Sequence, residues 1–124
     1  GKAFEKGLNN RTSAYDLALL FEAIARKKVV SEEASTKMIE ILLGQKFNEI
    51  IPAKLPQGTK VAHKTGNING VEHDSGIVFL PDGRAYVLVL LSKDLKDATK
   101  GKEILAEVSL RIYRYMESVN RNGH

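Results

Sequence analysis

Lys64, Thr65, Gly66 and Asn67 stand in a row within "HKTGNING", residues 63–70, and their types suit the gripping of an anion. A lysine ammonium is a compact cation with three donors. The hydroxyl of Thr65 adds a donor with a reach of about 3 Å. Gly66 takes away a side chain, so a ligand can come close to the backbone. The N–H of Asn67 then faces the same space, and one such donor aimed at a developing oxyanion is worth about 10²–10³ in rate. The group suits a carboxylate, or a carbonyl under attack. The plain structural alternative is a strand end followed by a turn. The position at a strand end, before a hairpin and a closing helix, favours the site.

Other chemistry-bearing residues lie close by. His63 either tunes Lys64 or points into the core. His73 and Asp74 could form a hydrogen-bonded pair that shapes the start of the next strand, and turn-forming His and Asp favour a structural role for all three. Three scattered histidines without a carboxylate cluster make no metal site, and no cofactor is expected. The chain has no cysteine, so neither a disulfide framework nor a thiolate zinc site is available.

Composition narrows the partners. The 124 residues suit one modest domain or a piece of a larger one. The net charge is +4, from 19 basic and 15 acidic residues, but the signs alternate along the chain and only four Phe and four Tyr are present. A nucleic-acid surface would gather the positive charge on one face beside stacking aromatics, so a solvated surface is expected instead and nucleic acid is not a partner. No apolar run approaches 18 residues, so no membrane span is expected. The opening GKAFEKG lacks the apolar centre of a signal peptide; an export signal would lie upstream or have been removed.

The elements that must position Lys64 follow from periodicity. Residues 13–28 read as a helix, with Ser13 and Asp16 resembling a capping box and Leu17, Leu20, Phe21 and Ile24 at helical spacing. Lys27 and Lys28 suit its negative end. A second helix spans 31–44, capped by Ser31 and closed by Gly44, with Ala34, Met38, Ile41 and Leu42 as its stripe. Pro52 and Pro56 make 47–57 a connecting loop. Strands are expected over 59–64, 75–81 and 84–92, the last two joined by the turn Pro81-Asp82-Gly83 and so antiparallel. The third is nearly all apolar, which raises the question of what covers its outer edge. A long helix over 97–119 closes the chain, with Ile104, Leu105, Val108, Ile112, Tyr115, Met116 and Val119 along one side. Elements segregated in this way indicate an α+β fold with an antiparallel sheet.

In these stretches the chain resembles the C-terminal part of the class A β-lactamase and penicillin-binding-protein group of serine hydrolases. The likeness runs over almost the whole chain: "NRTSAYDLALLFEAIA" leading a helix, "GTKVAHKTG" as a strand, "HDSGIVFLPDGRAYVLVLLS" as a hairpin, and the closing helix. K-T-G is one of the signatures of that group. The resemblance implies that Lys64 and Thr65 bind the substrate carboxylate, that Gly66 gives clearance, and that the Asn67 N–H is half of an oxyanion hole. It implies a partial β-lactamase/transpeptidase-like fold, a β-lactam or peptide-like carboxylate as substrate, and a location outside the cytoplasmic membrane.

The departures from the pattern are as informative. The family's nucleophile lies in S-x-x-K, yet none of the serines at 13, 31, 35, 75, 92, 109 and 118 has a lysine three residues on. The match to S-x-N at Ser118-Val119-Asn120 falls on the tail of the last helix and reads as chance. Glu5-Lys6-Gly7-Leu8-Asn9 resembles the E-x-x-L-N loop of class A enzymes, but too few residues follow it before the helix, and Glu5 reads as a solvated terminal residue. Many class A enzymes use an arginine on the strand after K-T-G, where this chain has Glu72-His73-Asp74-Ser75. The expectation is therefore the C-terminal part of a β-lactam-hydrolysing enzyme, anchoring substrate without supplying the nucleophile and inactive alone. The alternatives are a D,D-peptidase, an esterase, or a non-catalytic sensor of the same fold. The resemblance also implies that the edge of the third strand is covered by a missing N-terminal part, or else by self-association.

Overall fold

The computed structural model describes residues 14–27, 31–68, 71–92 and 97–119, with Asn67 and Ile68 by backbone alone. Helices α1 (Ala14–Ala25) and α2 (Glu32–Leu43) precede strands β1 (Lys60–Ile68), β2 (Val71–Phe79) and β3 (Ala85–Ser92), and helix α3 (Ala98–Ser118) follows. The strands form one antiparallel sheet in the order β1-β2-β3. The α+β class is thus observed, with helices packed on an antiparallel sheet.

Local chemistry sets the element limits. The Ser31 hydroxyl accepts the Ala34 N–H at 3.0 Å and starts α2, and Glu32 and Glu33 suit the positive end of its dipole. Gly44 closes α2 by donating its N–H to Ile41. Asp97 caps α3 by accepting the Lys100 N–H at 3.2 Å. Ser13 and Lys28, expected at the two ends of α1, lie outside the described residues, as does Glu5. Between β2 and β3, Gly83 takes a φ of 94°, the left-handed region that glycine enters without steric cost. The Leu80 N–H meets the Arg84 carbonyl at 2.8 Å across that turn.

Two strand limits differ from the sequence reading. β1 does not stop at Lys64 but runs on to Ile68, and β2 begins at Val71 rather than at residue 75. Gly66 and Asn67, which the expected strand 59–64 left beyond its end, are held in the ladder opposite His73 and Glu72. The K-T-G residues therefore sit inside a strand.

Alternation divides the sheet into two faces. Val61, His63 and Thr65 share one face with Asp74, Val78, Leu88 and Leu90. That face is covered by Leu105 and Tyr113 of α3 and by Ile50, Ile51 and Leu55 of the connecting segment. Ala62, Lys64 and Gly66 share the other face with Ile77, Ser75 and His73, and α1 and α2 cover its apolar part through Phe21, Ile24, Met38 and Leu42. The connecting segment is therefore a wedge of core, not a passive loop.

Some expected stripes are split. On α3 the buried side is Leu105, Ala106, Ser109 and Tyr113, while Ile104, Val108 and Tyr115 look outward. Leu20 of α1 and Ile41 of α2 are exposed. On β3, Leu88 and Leu90 are buried but Leu91 is exposed, and among the described residues no strand lies beyond β3. No helix among the described residues is long and apolar enough to cross a membrane.

Candidate functional site

The ladder determines which way each peptide group of β1 points. Leu80, the residue just after β2, directs its N–H toward the β3 side, where it bonds the Arg84 carbonyl. Peptide groups alternate in direction along an antiparallel strand, so Asp74 and Glu72 also face β3, while Ser75 and His73 face β1. Their partners Lys64 and Gly66 turn inward to meet them. Thr65 and Asn67 consequently turn their N–H and C=O groups away from β2, to the open edge of β1. The Lys64 Nζ donates to the Thr65 carbonyl at 2.7 Å, in keeping with that direction.

A cavity of about 420 Å³ opens beside this edge. Lys64, Thr65 and Gly66 of β1 line it, with Glu72 of β2 and Lys102 of α3. Phe47, Glu49 and Ile50 of the connecting segment complete it. Lys64 is exposed, whereas Glu72 is buried in the wall. Lys102 forms an ion pair with Glu49 at 3.4 Å. The expected anchors Lys64, Thr65 and Gly66 thus share one cavity, and Asn67 follows them on the same edge.

Gly66 has a second neighbour. A Cβ at this position would stand 2.3 Å from Nε2 of His73, so the imidazole lies across the glycine. The absent side chain makes room for His73 on one side of the strand, while the glycine backbone borders the cavity.

Asp74 pairs with His63, not with His73. His63 Nδ1 donates to Asp74 Oδ1 at 2.8 Å, and Asp74 Oδ2 accepts the Ile51 N–H at 2.9 Å. His63 Nε2 lies 2.9 Å from the Asn48 amide oxygen. The expected His73–Asp74 pair fails because neighbours on a strand point to opposite faces. Asp74 and His63 share a face, and Gly76 opposite His63 leaves space for the ring: a Cβ there would stand 2.6 Å from that of His63. The network ties the connecting segment, and with it the cavity wall, to the strand that carries Lys64. His63 is thus a buried support rather than a group facing the cavity.

The remaining candidates lie elsewhere. Ser118 is in the last turn of α3, donating to the Tyr115 carbonyl at 2.7 Å. At 1.5 Å rise per residue it is about 24 Å along the helix from Lys102. Asn120 is outside the described residues. Ser75, opposite Lys64, is buried with no hydrogen-bond partner for its Oγ among the described residues. Among those residues no group of His, Asp and Glu is arranged to hold a metal ion.

Sequence reasoning did not find Glu49 and Lys102. They are separated by more than 50 residues and meet only because the wedge and α3 cover the same face of the sheet.

Comparison with known proteins agrees with this architecture. Residues 1–116 match the β-lactamase enzyme family. The extended-spectrum β-lactamase PER-1 of Pseudomonas aeruginosa is 31% identical over 118 residues, which is 86% of this chain and 37% of that protein. The structure of PBP-A superposes with a TM-score of 0.75 at 31% identity, covering 84% of this chain and 39% of PBP-A. A β-lactamase from Sphaerobacter thermophilus gives 0.68 at 28% identity, over 76% of this chain and 36% of the other. The chain therefore spans about two fifths of the length of these relatives. On its matched extent, its sheet and its helices, this chain belongs to the β-lactamase enzyme family.

Proposed function

We propose that this chain forms the substrate-anchoring wall of a serine hydrolase that opens β-lactams by acyl transfer, with the nucleophile supplied by polypeptide outside these residues. The observation that carries the reading is the outward turn of Thr65 and Asn67 on the open edge of β1, beside the exposed Lys64. A substrate laid along this edge meets a cation, a hydroxyl and a peptide N–H in succession. A penicillin G acyl-enzyme of a PBP-A variant, a relative at 31% identity, supports the substrate class.

In the reaction, a serine oxygen bonds to the lactam carbonyl carbon, the ring C–N bond breaks, and the nitrogen takes a proton. Water then adds to the ester carbon, releasing the ring-opened acid and restoring the hydroxyl. Lys64 and the Thr65 hydroxyl hold the substrate carboxylate, and Gly66 leaves clearance at the strand. The Asn67 N–H and the N–H of the serine itself hold the oxyanion. No serine here is followed at the third position by lysine, so the activated nucleophile must come from elsewhere. The same missing polypeptide covers the open side of β3, and the protein works outside the cytoplasmic membrane.

The test is mass spectrometry of the full-length protein after mixing with benzylpenicillin. One added benzylpenicillin mass is expected, and Lys64→Ala should slow its appearance about 10–100-fold, as for loss of a charge-assisted hydrogen bond. An unmodified protein after prolonged exposure would overturn the reading. An adduct that turns over marks a β-lactamase, and one that persists marks a D,D-peptidase.

A further inference from the structure

The Asn67 N–H belongs to a peptide with a glycine on its other side. Glycine lets a peptide rock about φ and ψ more freely than any other residue. The clearance that Gly66 gives a substrate therefore comes with weaker control over the N–H beside it. A displacement of about 1 Å in a reacting geometry can cost about 10²-fold in rate, so the aim of this donor depends on what steadies the glycine.

His73 meets that peptide from two directions. Gly66 and His73 are partners across the hairpin, with their peptide groups turned toward each other, so the ladder holds the inward end of the Gly66–Asn67 peptide. On the Lys64 face, the imidazole fills the space that a side chain on Gly66 would take: Nε2, Cε1 and Cδ2 all stand 3.1 Å or less from the point where a Cβ would be. His73 Nδ1 is buried with no hydrogen-bond partner among the described residues, so contact with the glycine, and not a hydrogen bond at that nitrogen, seats the ring. The apolar cover from α1 and α2 reaches Ala62, Ile77, Phe79 and Val87 on this face, and His73 carries the backing on to the K-T-G end.

We propose that His73 is a positioning residue whose ring steadies the Gly66–Asn67 peptide from behind, so that the Asn67 N–H keeps its aim along the open edge of β1. The flat shape of the ring does this, and no proton of the imidazole takes part. The inference rests on the reading of the Asn67 N–H as an oxyanion donor.

Stopped-flow acylation of the full-length protein by benzylpenicillin separates the dissociation constant of the first complex from the rate constant of acylation, and infrared spectra read the ester carbonyl of the acyl-enzyme. His73→Ala should slow the acylation step about 10–30-fold, less than the roughly 10²–10³ for complete loss of an oxyanion donor. The dissociation constant should stay within about twofold, because Lys64 and Thr65 are untouched. The ester carbonyl band should move to higher wavenumber as its hydrogen bond weakens. His73→Phe, which keeps a flat ring, should restore both the rate constant and the band. Where the alanine variant does not fold, His73→Val, a good strand former without a ring, serves the same comparison. Equal losses in binding and acylation, an unshifted band, or a His73→Phe variant as slow as His73→Ala would overturn the role. If Asn67→Pro is acylated as fast as wild type, the oxyanion reading fails and the inference with it; if Asn67→Pro is slow and His73→Ala is not, only the role of His73 falls.

Discussion

His63 and Asp74 meet through Nδ1 and Oδ1 at 2.8 Å, both almost wholly buried, on the face of the sheet opposite to Lys64. The pair supports the site without touching the cavity. Asp74 spends its other oxygen on the Ile51 N–H, so removing the carboxylate strands a ring nitrogen and a peptide N–H together. Asp74→Ala should cost about 2–5 kcal/mol, the sum for two buried donors left without an acceptor. Urea unfolding would measure it, and a loss below about 1 kcal/mol would contradict this account.

The two glycines opposite histidines should respond differently to alanine. A Cβ at Gly76 would stand 2.4 Å from the Ala62 carbonyl oxygen, a backbone atom that cannot step aside. A Cβ at Gly66 meets the end of the His73 side chain instead. Gly76→Ala should therefore cost about 3 kcal/mol or more, and Gly66→Ala about 1–2 kcal/mol. His73→Ala should relieve most of the Gly66→Ala loss, whereas no single side-chain truncation should relieve Gly76→Ala. A thermal-denaturation double-mutant cycle distinguishes the two cases.

Asn67→Pro offers a clean test of the outward N–H. Proline removes the donor, and at this position the donor lies off the ladder to β2, on an edge where proline is tolerated. The full-length variant should keep its fold by circular dichroism while acylation falls about 10²–10³-fold, as for loss of one oxyanion donor. Gly66→Pro, whose N–H points inward, should destabilise the hairpin itself.

Tyr86 predicts an alkaline limit. Burial first, and then the neighbouring Tyr113, push its phenol up to about 12 from an ordinary 10.0, and its hydroxyl has no hydrogen-bond partner among the described residues. A folded-state value above the unfolded one means that the native protein binds the proton more tightly. The stability linked to Tyr86 is thus complete below pH 10 and is lost as pH rises toward 12. Tyr86→Phe should flatten that decline and be neutral or slightly stabilising at pH 7. Urea midpoints at pH 9 and pH 11.5 would show it, and an equally steep decline in the variant would exclude Tyr86 as its source.

Much of the frame is legible in the sequence because its signals are local. Ser31 and Asp97 cap the helices they precede, and Pro81-Asp82-Gly83 turns the chain where the hairpin needs it. Lys64 and Thr65 are recognisable by type and neighbourhood. The run of β1 to Ile68 was harder to read, because Gly66 resembles a turn residue until His73 is placed beside it. Asn69-Gly70, a pair that favours two-residue hairpin connections, was the available signal. The His63–Asp74 pair depends on register, which no single strand reveals. Lys102 and Glu49 depend on topology, and the outward side of α3 at Ile104, Val108 and Tyr115 on which neighbour each stripe meets.

Ile51 is held from two directions: its N–H by Asp74 of the sheet, and its carbonyl by the Ser109 hydroxyl of α3 at 2.8 Å. One residue of an irregular segment thereby rivets the two layers together through its own peptide groups. A protease nick in the exposed turn at Ala53 would cut the covalent path from wedge to sheet but leave these rivets untouched. The clipped halves should then stay together through gel filtration and part only in denaturant.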